Sequence, residues 1–378
     1  MKKSLVALAA LAVAGGAFAQ SSVTLSGNIK GGVAQTKYSN AAAGNGTGLS
    51  LADGSSRFLI GGTEDLGGGL KAVFQIDTRF RVDDNGGAAG AAGTGTLTAA
   101  PSQLASGNTF VGLSGGLGMI QIGKLDTHYC LGSDQHGARA TALQASSCAI
   151  LGFVGAAPIA NASRSQNIIR YTTPNFAGFQ AQVNYSTSWT GPEGAPGDTG
   201  KGRAAAFGLN YGNGPLKAGV SFWDAKSENR TAGVARADQS AGTAFIDWNF
   251  GVATVGLTYD QSELEPTTAA GVQTQTKRRA WSIPVTVPLG AGTFLFTYTK
   301  ARDTTGSGGA ANTGATLASV GYDYALSKRT SLGVSYAKLN NKAAGAYSLY
   351  TQAALNGTPN NVAGQDAAQL YVGVRHAF

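Results

Sequence analysis

The residues that could carry out chemistry are concentrated in one segment, Asp126 to His136, with the sequence DTHYCLGSDQH. Asp, His and Cys are metal-ligand types, and Ser133 beside His136 could form a hydrolytic pair. The spacing matches no standard zinc pattern, and the chain contains no Gly-x-Ser-x-Gly, phosphate-loop or His-Glu-x-x-His motif. We therefore expect no metal, no cofactor and no enzymatic activity. A hydrolase that uses Ser133 and His136 is a remote alternative.

This segment belongs to a longer stretch, 125–163, that has neither strand nor helix periodicity. Alternating segments flank it, NTFVGLSGGLGMIQIGK on one side and RSQNIIRYTTPNF on the other. Loops of this length are uncommon inside a compact architecture and are usually functional. We predict that 125–163 is the constriction loop of a pore that the flanking strands help to build.

The N-terminus has the features of a secretory signal peptide. Lys2 and Lys3 precede an apolar run, and Ala17-Phe18-Ala19 forms a small-x-small cleavage site. We expect residues 1–19 to be removed and 20–378 to form a single domain. The remaining chain has no continuous apolar window long enough for a transmembrane helix. Charged residues are 13% of the chain, against roughly 25% in soluble domains, which favours a membrane β-barrel over a soluble, Gly-rich β-protein.

Strand patterns run through the chain with a period of two residues. In FQAQVNYS, 179–186, aromatic and aliphatic side chains alternate with amides and a serine. Turn-like short connections alternate with long polar ones, which predicts a sixteen-stranded antiparallel barrel, all-β in class, with short periplasmic turns. The short connections are 67–69, 115–116, 173–178, 213–214, 250–251, 289–291 and 326–329. The long ones are 38–55, 83–106, 125–163, 191–202, 227–238, 264–276, 304–314 and 341–366.

Several segments resemble the general porins of beta-proteobacterial outer membranes, and they occur in that family's order. They are SSVTLSGNIKGGV, SRFLIGGTEDLGGGLKAVFQID, NTFVGLSGGLGMIQIGK, NIIRYTTPNFAGFQAQVNY, YALSKRT and VGVRHAF. The resemblance implies a trimeric, sixteen-stranded barrel in the cell outer membrane, whose third extracellular loop bends into the lumen. It also implies a homotrimer in contact with outer-membrane lipid, in which the barrel wall near the first and last strands is buried between subunits. Phe378, the C-terminal residue, is then expected to be recognised by the outer-membrane assembly machinery.

Basic residues at strand period are expected to set ion selectivity. Parity predicts that one set points inward: Lys30, Arg57, Lys71, Arg79, Arg81, Arg170 and Lys217. By resemblance, Arg57 and Arg164 occupy positions of constriction arginines in anion-selective relatives, whereas Gly107 and Asn108 stand where a third one can occur. Lys124 sits at a family arginine position, although parity points it outward.

Fixed charges in a narrow passage select ions by sign, and the long loop has only two carboxylates. We therefore predict a passive diffusion channel for small hydrophilic solutes with weak anion selectivity. A substrate-specific channel for a small anionic solute is the alternative, and an outer-membrane barrel enzyme is the remote alternative. Without Lys2 and Lys3 the chain carries 26 basic and 20 acidic residues, a net +6. Because these charges are dispersed rather than clustered, we expect no nucleic-acid partner.

Cys130 and Cys148 are the two cysteines, and both lie in the long loop. Export places them in an oxidising compartment. A disulfide between them would close a loop of about 19 residues and restrict its open ensemble by roughly 3 kcal/mol. Free thiols in a flexible segment are the alternative.

Overall fold

The computed structural model describes 21–39, 46–53, 56–80, 82, 104–127, 146–151, 153–154, 157–158, 164–189, 202–227, 236–349 and 362–378. The predicted signal peptide lies outside these residues. No helix in these ranges is long and apolar enough to cross a membrane. The regular structure is almost entirely β-strand, as the period-two alternation predicts.

Nineteen strand segments follow the chain in these ranges. They are β1 Ser22–Ser39, β2 Gly46–Asp53, β3 Ser56–Gly67, β4 Leu70–Phe80, β5 Thr109–Gly115, β6 Gly118–Asp126, β7 Phe153–Val154, β8 Ala157–Pro158, β9 Arg164–Thr172, β10 Phe179–Ser186, β11 Gly202–Asn213, β12 Leu216–Ser227, β13 Arg236–Asn249, β14 Thr254–Thr267, β15 Thr276–Leu289, β16 Gly292–Ala301, β17 Ala315–Ala325, β18 Thr330–Asn341 and β19 Asp366–Ala377.

These segments build a closed antiparallel barrel of sixteen strands, which confirms the predicted fold. β7 and β8 form a separate hairpin. β2 and β3 both pair with β1, one above the other, and so share one position in the barrel. The expected loop at 38–55 was therefore wrong for β2, because this segment extends the ladder along β1. Closure comes from β1 and β19, which pair from Asn28–Ala377 to Ser39–Asp366.

The short connections fall where the sequence predicts them. β3 turns into β4 through Gly67, Gly68 and Gly69, whose φ angles of 84°, 61° and 80° lie in the left-handed region that glycine adopts without a steric penalty. The other six short connections also join consecutive barrel strands. The two ends of the barrel therefore differ, with tight turns at one and longer connections at the other.

Barrel strands expose apolar side chains on one face and bury the side chains of the other face, many of which are small or polar. On β12, Val220 and Phe222 are exposed by 47% and 52%, whereas Ser221 and Trp223 on the opposite face are 6% and 0% exposed. Exposed aliphatic and aromatic side chains recur on this outer parity around the barrel. This distribution suits lipid outside and a polar lumen inside, because the bilayer core offers polar groups no partners.

Candidate functional site

A segment of the long loop lies against the inner face of the barrel. A 3-10 helix, Ser147–Ala149, is capped by Ser146, whose side chain accepts a hydrogen bond from Cys148 N at 3.2 Å. Every residue from Ser146 to Leu151 is buried. Ala149, Ile150 and Leu151 belong to one apolar cluster with inner-face residues of β1, β2 and β15 to β19. The fold therefore places this part of the predicted constriction loop inside the lumen.

Arg278 on β15 fastens this loop segment to the wall. Its guanidinium is fully buried, and Nη1 donates to the main-chain oxygen of Ile150 at 2.9 Å. The same guanidinium forms an ion pair with Asp260 of β14 and donates through Nε to Ser262 Oγ at 3.0 Å. Asp260 also accepts from Thr243 Oγ1 at 2.7 Å. A buried charge that is paired and hydrogen-bonded in this way resists displacement, because breaking one contact leaves charge without solvation.

A ladder of basic residues crosses the inner face of four neighbouring strands, β19, β1, β3 and β4. Lys30 stands directly opposite Arg375, and Arg57 stands directly opposite Arg79. Asn28, two residues before Lys30 on the same face, is the cross-strand partner of Arg57. The four cations thus form one basic wall of the lumen. Arg375 was absent from the predicted set, although its parity with the buried Tyr371 indicates the inner face.

Asp77 lies between two of these cations. Its carboxylate is 3.5 Å from Arg57 Nη1 and 3.7 Å from Arg79 Nη2, and its side chain is only 1% exposed. Arg57 keeps 38% of its side chain exposed. The negative carboxylate reduces the repulsion between the two arginines, which stand directly opposite each other. Like charges directly opposite each other destabilise a sheet. Asp77 therefore lowers the net charge of the basic wall as it stabilises it.

The chain makes room for this carboxylate at Gly107. A Cβ at position 107 would lie 2.1 Å from the Asp77 carboxylate, closer than any side chain can approach. Gly107 N donates to Asp77 O at 2.7 Å, and Asn108 N donates to Asp77 Oδ2 at 3.3 Å. Gly107 and Asn108 thus both bind Asp77 through their main-chain N–H groups.

Arg170 also lies on the inner face but is tied to its surroundings. Its Nε donates to Asn184 Oδ1 at 2.5 Å, and its guanidinium donates to the main-chain oxygen of Asp126. Asn184 is 1% exposed and Gln121, the other cross-strand neighbour, 4%. These contacts tie Arg170, near the short-turn end of β9, to Asn184 and to the main chain of Asp126 at the end of β6.

The other predicted site residues differ in how the structure places them. Arg164 pairs with Asp126 across β9 and β6 through the backbone, while Arg81 lies outside the described residues. Lys124 has the parity of Ile120 and Ile122, whose side chains are exposed on the outer face, and the register with β9 shifts between Gly123 and Leu125.

The segment that suggested a metal or hydrolytic site lies mostly outside the described residues, including His128, Cys130, Ser133 and His136. In the described ranges, no group of three His, Cys, Asp or Glu residues could hold a metal ion. Cys148 is buried and disulfide-bonded. The sequence contains one other cysteine, Cys130.

The C-terminal residue, Phe378, extends the pairing of β1 and β19 by one residue. Phe378 N donates to Gly27 O at 3.1 Å, and Gly27 N donates to Phe378 O at 3.0 Å. A Cβ at position 27 would lie 2.4 Å from Arg57 O on β3 and 2.8 Å from the Phe378 ring, so glycine is required between these two neighbours. His376 contacts Thr330 Oγ1 through Nδ1 at 2.9 Å.

The chain is similar to known outer-membrane proteins in both sequence and fold. The chain is 32% identical over 395 residues to outer membrane porin protein 32 of Delftia acidovorans, with all of both chains covered. It superimposes with a TM-score of 0.72 and 28% identity on the anion-selective porin from Comamonas acidovorans, covering 95% of this chain and all of that one. OmpT of Vibrio cholerae, solved in a trimer form, shares the fold with a TM-score of 0.64 at 13% identity, over 95% and 99% of the two chains. Residues 4–344 match the Gram-negative porin family. With its closed sixteen-stranded barrel, inward loop and basic inner wall, the chain belongs to the Gram-negative porins of the outer membrane.

Proposed function

We propose that this porin is a passive diffusion channel for small hydrophilic solutes with weak anion selectivity. The observation that carries the proposal is the basic wall formed by Lys30, Arg57, Arg79 and Arg375, which includes one carboxylate, Asp77. Similarity to an anion-selective porin over the whole chain supports the same sign of selectivity.

The mechanism is electrostatic and needs no covalent step or cofactor. Solutes cross a water-filled lumen that the long loop narrows from one side, where Arg278 holds it. An anion that passes the basic wall is lowered in energy and a cation is raised, so the wall enriches anions at the constriction. The net charge of the wall is partly neutralised by Asp77, which makes the preference weak.

The experiment is the zero-current potential of the reconstituted protein in planar bilayers under a salt gradient. Arg57→Glu combined with Arg164→Glu should shift it toward cation preference at 0.1 M salt and much less at 1 M, because the Debye length falls from about 10 Å to about 3 Å. Lys328→Glu with Arg329→Glu makes the same change of charge at an exposed turn at the short-turn end and is the matched control. An unchanged potential in the first pair would place selectivity elsewhere along the basic wall. Saturation by one small anion with negligible ion conductance would instead favour the substrate-specific channel.

A homotrimer is the assembly that we propose, with the outer face near β1 and β19 as the contact. The exposed outer face of β1 carries Val23, Leu25, Ile29 and Val33, and Gly27 lies among them. The solved trimer form of OmpT is a precedent for assembly in this fold. On a detergent gel, an unheated sample should migrate as a trimer that heating converts to a monomer, and a single-chain mass in mild detergent would disprove the assembly.

We further propose Cys130 as the disulfide partner of Cys148, because the chain has no third cysteine. The bridge would close part of the lumen loop and limit its excursions. Phe378 is proposed as the signal for the outer-membrane assembly machinery, and its hydrogen bonds to Gly27 place it at the barrel seam.

A further inference from the structure

The outer face of β15 and β16 carries aromatic and basic side chains at the end of these strands that is far from their short turn. Trp281 stands directly opposite Lys300, and Ile283 stands opposite Tyr298. One rung further out, Arg302 N donates to Arg279 O at 2.9 Å. On this face Arg279 and Arg302 therefore stand opposite each other, one rung beyond the pair of Trp281 and Lys300.

These three cations are exposed and have no carboxylate partner among the residues that the structure describes. Arg279, Lys300 and Arg302 are all in the exposed class. Arg279 Nε donates to Gln261 Oε1 at 3.1 Å, and no ion pair or side-chain hydrogen bond links Lys300 or Arg302 to another residue of the described ranges.

The acidic groups nearby are already engaged, since Glu263 lies 3.4 Å from Lys277 and both Glu263 and Glu265 accept from Gln275. Like charges directly opposite each other destabilise a sheet. An anion from outside the chain would remove this repulsion between Arg279 and Arg302.

The position of the cations relative to the membrane identifies the source of that anion. Trp281, beside Lys300, contacts Tyr298 of the next rung toward the short turn, with ring centroids 5.4 Å apart. Aromatic girdles mark the membrane interface of outer-membrane barrels. Apolar pairs continue down the same face, such as Val285 opposite Phe296. The opposite end of this ladder is the short turn at 289–291, on the predicted periplasmic side. The cations therefore lie at headgroup level in the outer leaflet, directly above a surface that acyl chains cover.

We propose that Arg279, Lys300 and Arg302 form a binding site for a phosphate-bearing headgroup of an outer-leaflet lipid. The two guanidinium groups offer forked donors that match phosphate oxygens, and the lysine adds a third charge. The lipid's acyl chains lie along the apolar rungs of β15 and β16. A free phosphate ion would gain nothing from those rungs, so the surface selects a lipid over a soluble anion.

The test is retention of bis-phosphorylated lipid A by the detergent-solubilised full chain, measured by native mass spectrometry. Lys300→Gln with Arg302→Gln should weaken retention at least tenfold. Lys328→Gln with Arg329→Gln removes the same charges from an exposed turn at the periplasmic end and should retain lipid as the parent protein does. Folding of each variant is verified by heat-modifiable gel migration. If the double variant does not fold, the single variants Lys300→Gln and Arg302→Gln should each show an intermediate loss.

Two further ligands complete the design. Lipid A with its phosphates removed should not be retained, and millimolar inorganic phosphate should not displace the phosphorylated lipid. Equal retention by the Lys300/Arg302 variant and the parent would overturn the site. Equal retention of the dephosphorylated lipid, or displacement by inorganic phosphate alone, would overturn recognition of a lipid phosphate.

Discussion

Replacing Asp77 by Asn should increase anion selectivity, because it removes the carboxylate from the basic wall without changing the side chain's shape. Asp77 lies 3.5 Å from Arg57 and 3.7 Å from Arg79. In the parent protein it offsets part of the charge of both arginines. In the Asn variant, a passing ion interacts with the two arginine charges without the opposing charge of the carboxylate.

The magnitude follows from Coulomb's law. An ion that passes roughly 8 Å from position 77 interacts with one unit charge by about 0.5 kcal/mol in water. The substitution stabilises an anion by this amount and destabilises a cation equally, so the permeability ratio changes by about fivefold without screening. At 0.1 M salt, where the Debye length is about 10 Å, the change in the permeability ratio falls to about twofold. At 1 M salt, where the Debye length is about 3 Å, the change almost vanishes.

The assay is the zero-current potential across a planar bilayer at both salt concentrations. Glu64→Gln is the matched control: it also removes one carboxylate charge, from the neighbouring strand β3, but at an exposed position on the outer parity. Arg79→Gln should move the potential in the opposite direction. If Asp77→Asn leaves the potential unchanged at 0.1 M, or if Glu64→Gln shifts it equally, the basic wall does not control selectivity.

Three further predictions concern the loop and the extracellular rim. Arg278→Ala should lower the free energy of unfolding of the barrel by about 3–5 kcal/mol, because it leaves Asp260 buried without its counter-charge. Adding Asp260→Asn should restore part of that loss. Current noise in single-channel recordings should rise in Arg278→Ala, because the loop is no longer bound to the wall. The pKa of the Asp303 carboxyl is lowered, chiefly by its hydrogen bond from Lys342. A depressed pKa contributes stability above the unfolded value, near 3.9, that is lost as the pH falls through the folded value. The melting-temperature difference between the parent and Lys342→Met should therefore be constant near neutral pH and shrink below about pH 4; a difference that persists at lower pH would contradict the pairing. Cys148 should resist thiol labelling in the denatured protein until a reductant is added, and immediate labelling would exclude the disulfide.

Local sequence patterns determine the strands and the short turns of this protein. The two-residue alternation of segments such as 179–186 sets which side chains face lipid, because a strand turns successive side chains to opposite faces. Glycine turns such as 67–69 divide the chain into strands because their backbone angles suit glycine. Both signals lie within a few neighbouring residues, so the number of strands and the positions of the short turns could be predicted without contacts between distant parts of the chain.

The tertiary structure decided how the charges are paired. Arg375 and Lys30 come from opposite ends of the chain and meet only because β19 closes on β1. Parity predicts that Arg57 and Arg79 point inward, but it cannot show that Asp77 lies within 4 Å of both. Nor does any local pattern indicate that Arg278 holds Ile150, since the long loop has no periodicity and its place depends on packing against distant strands. Selectivity and loop position are therefore properties of register and closure, which depend on contacts between residues that are remote in the sequence.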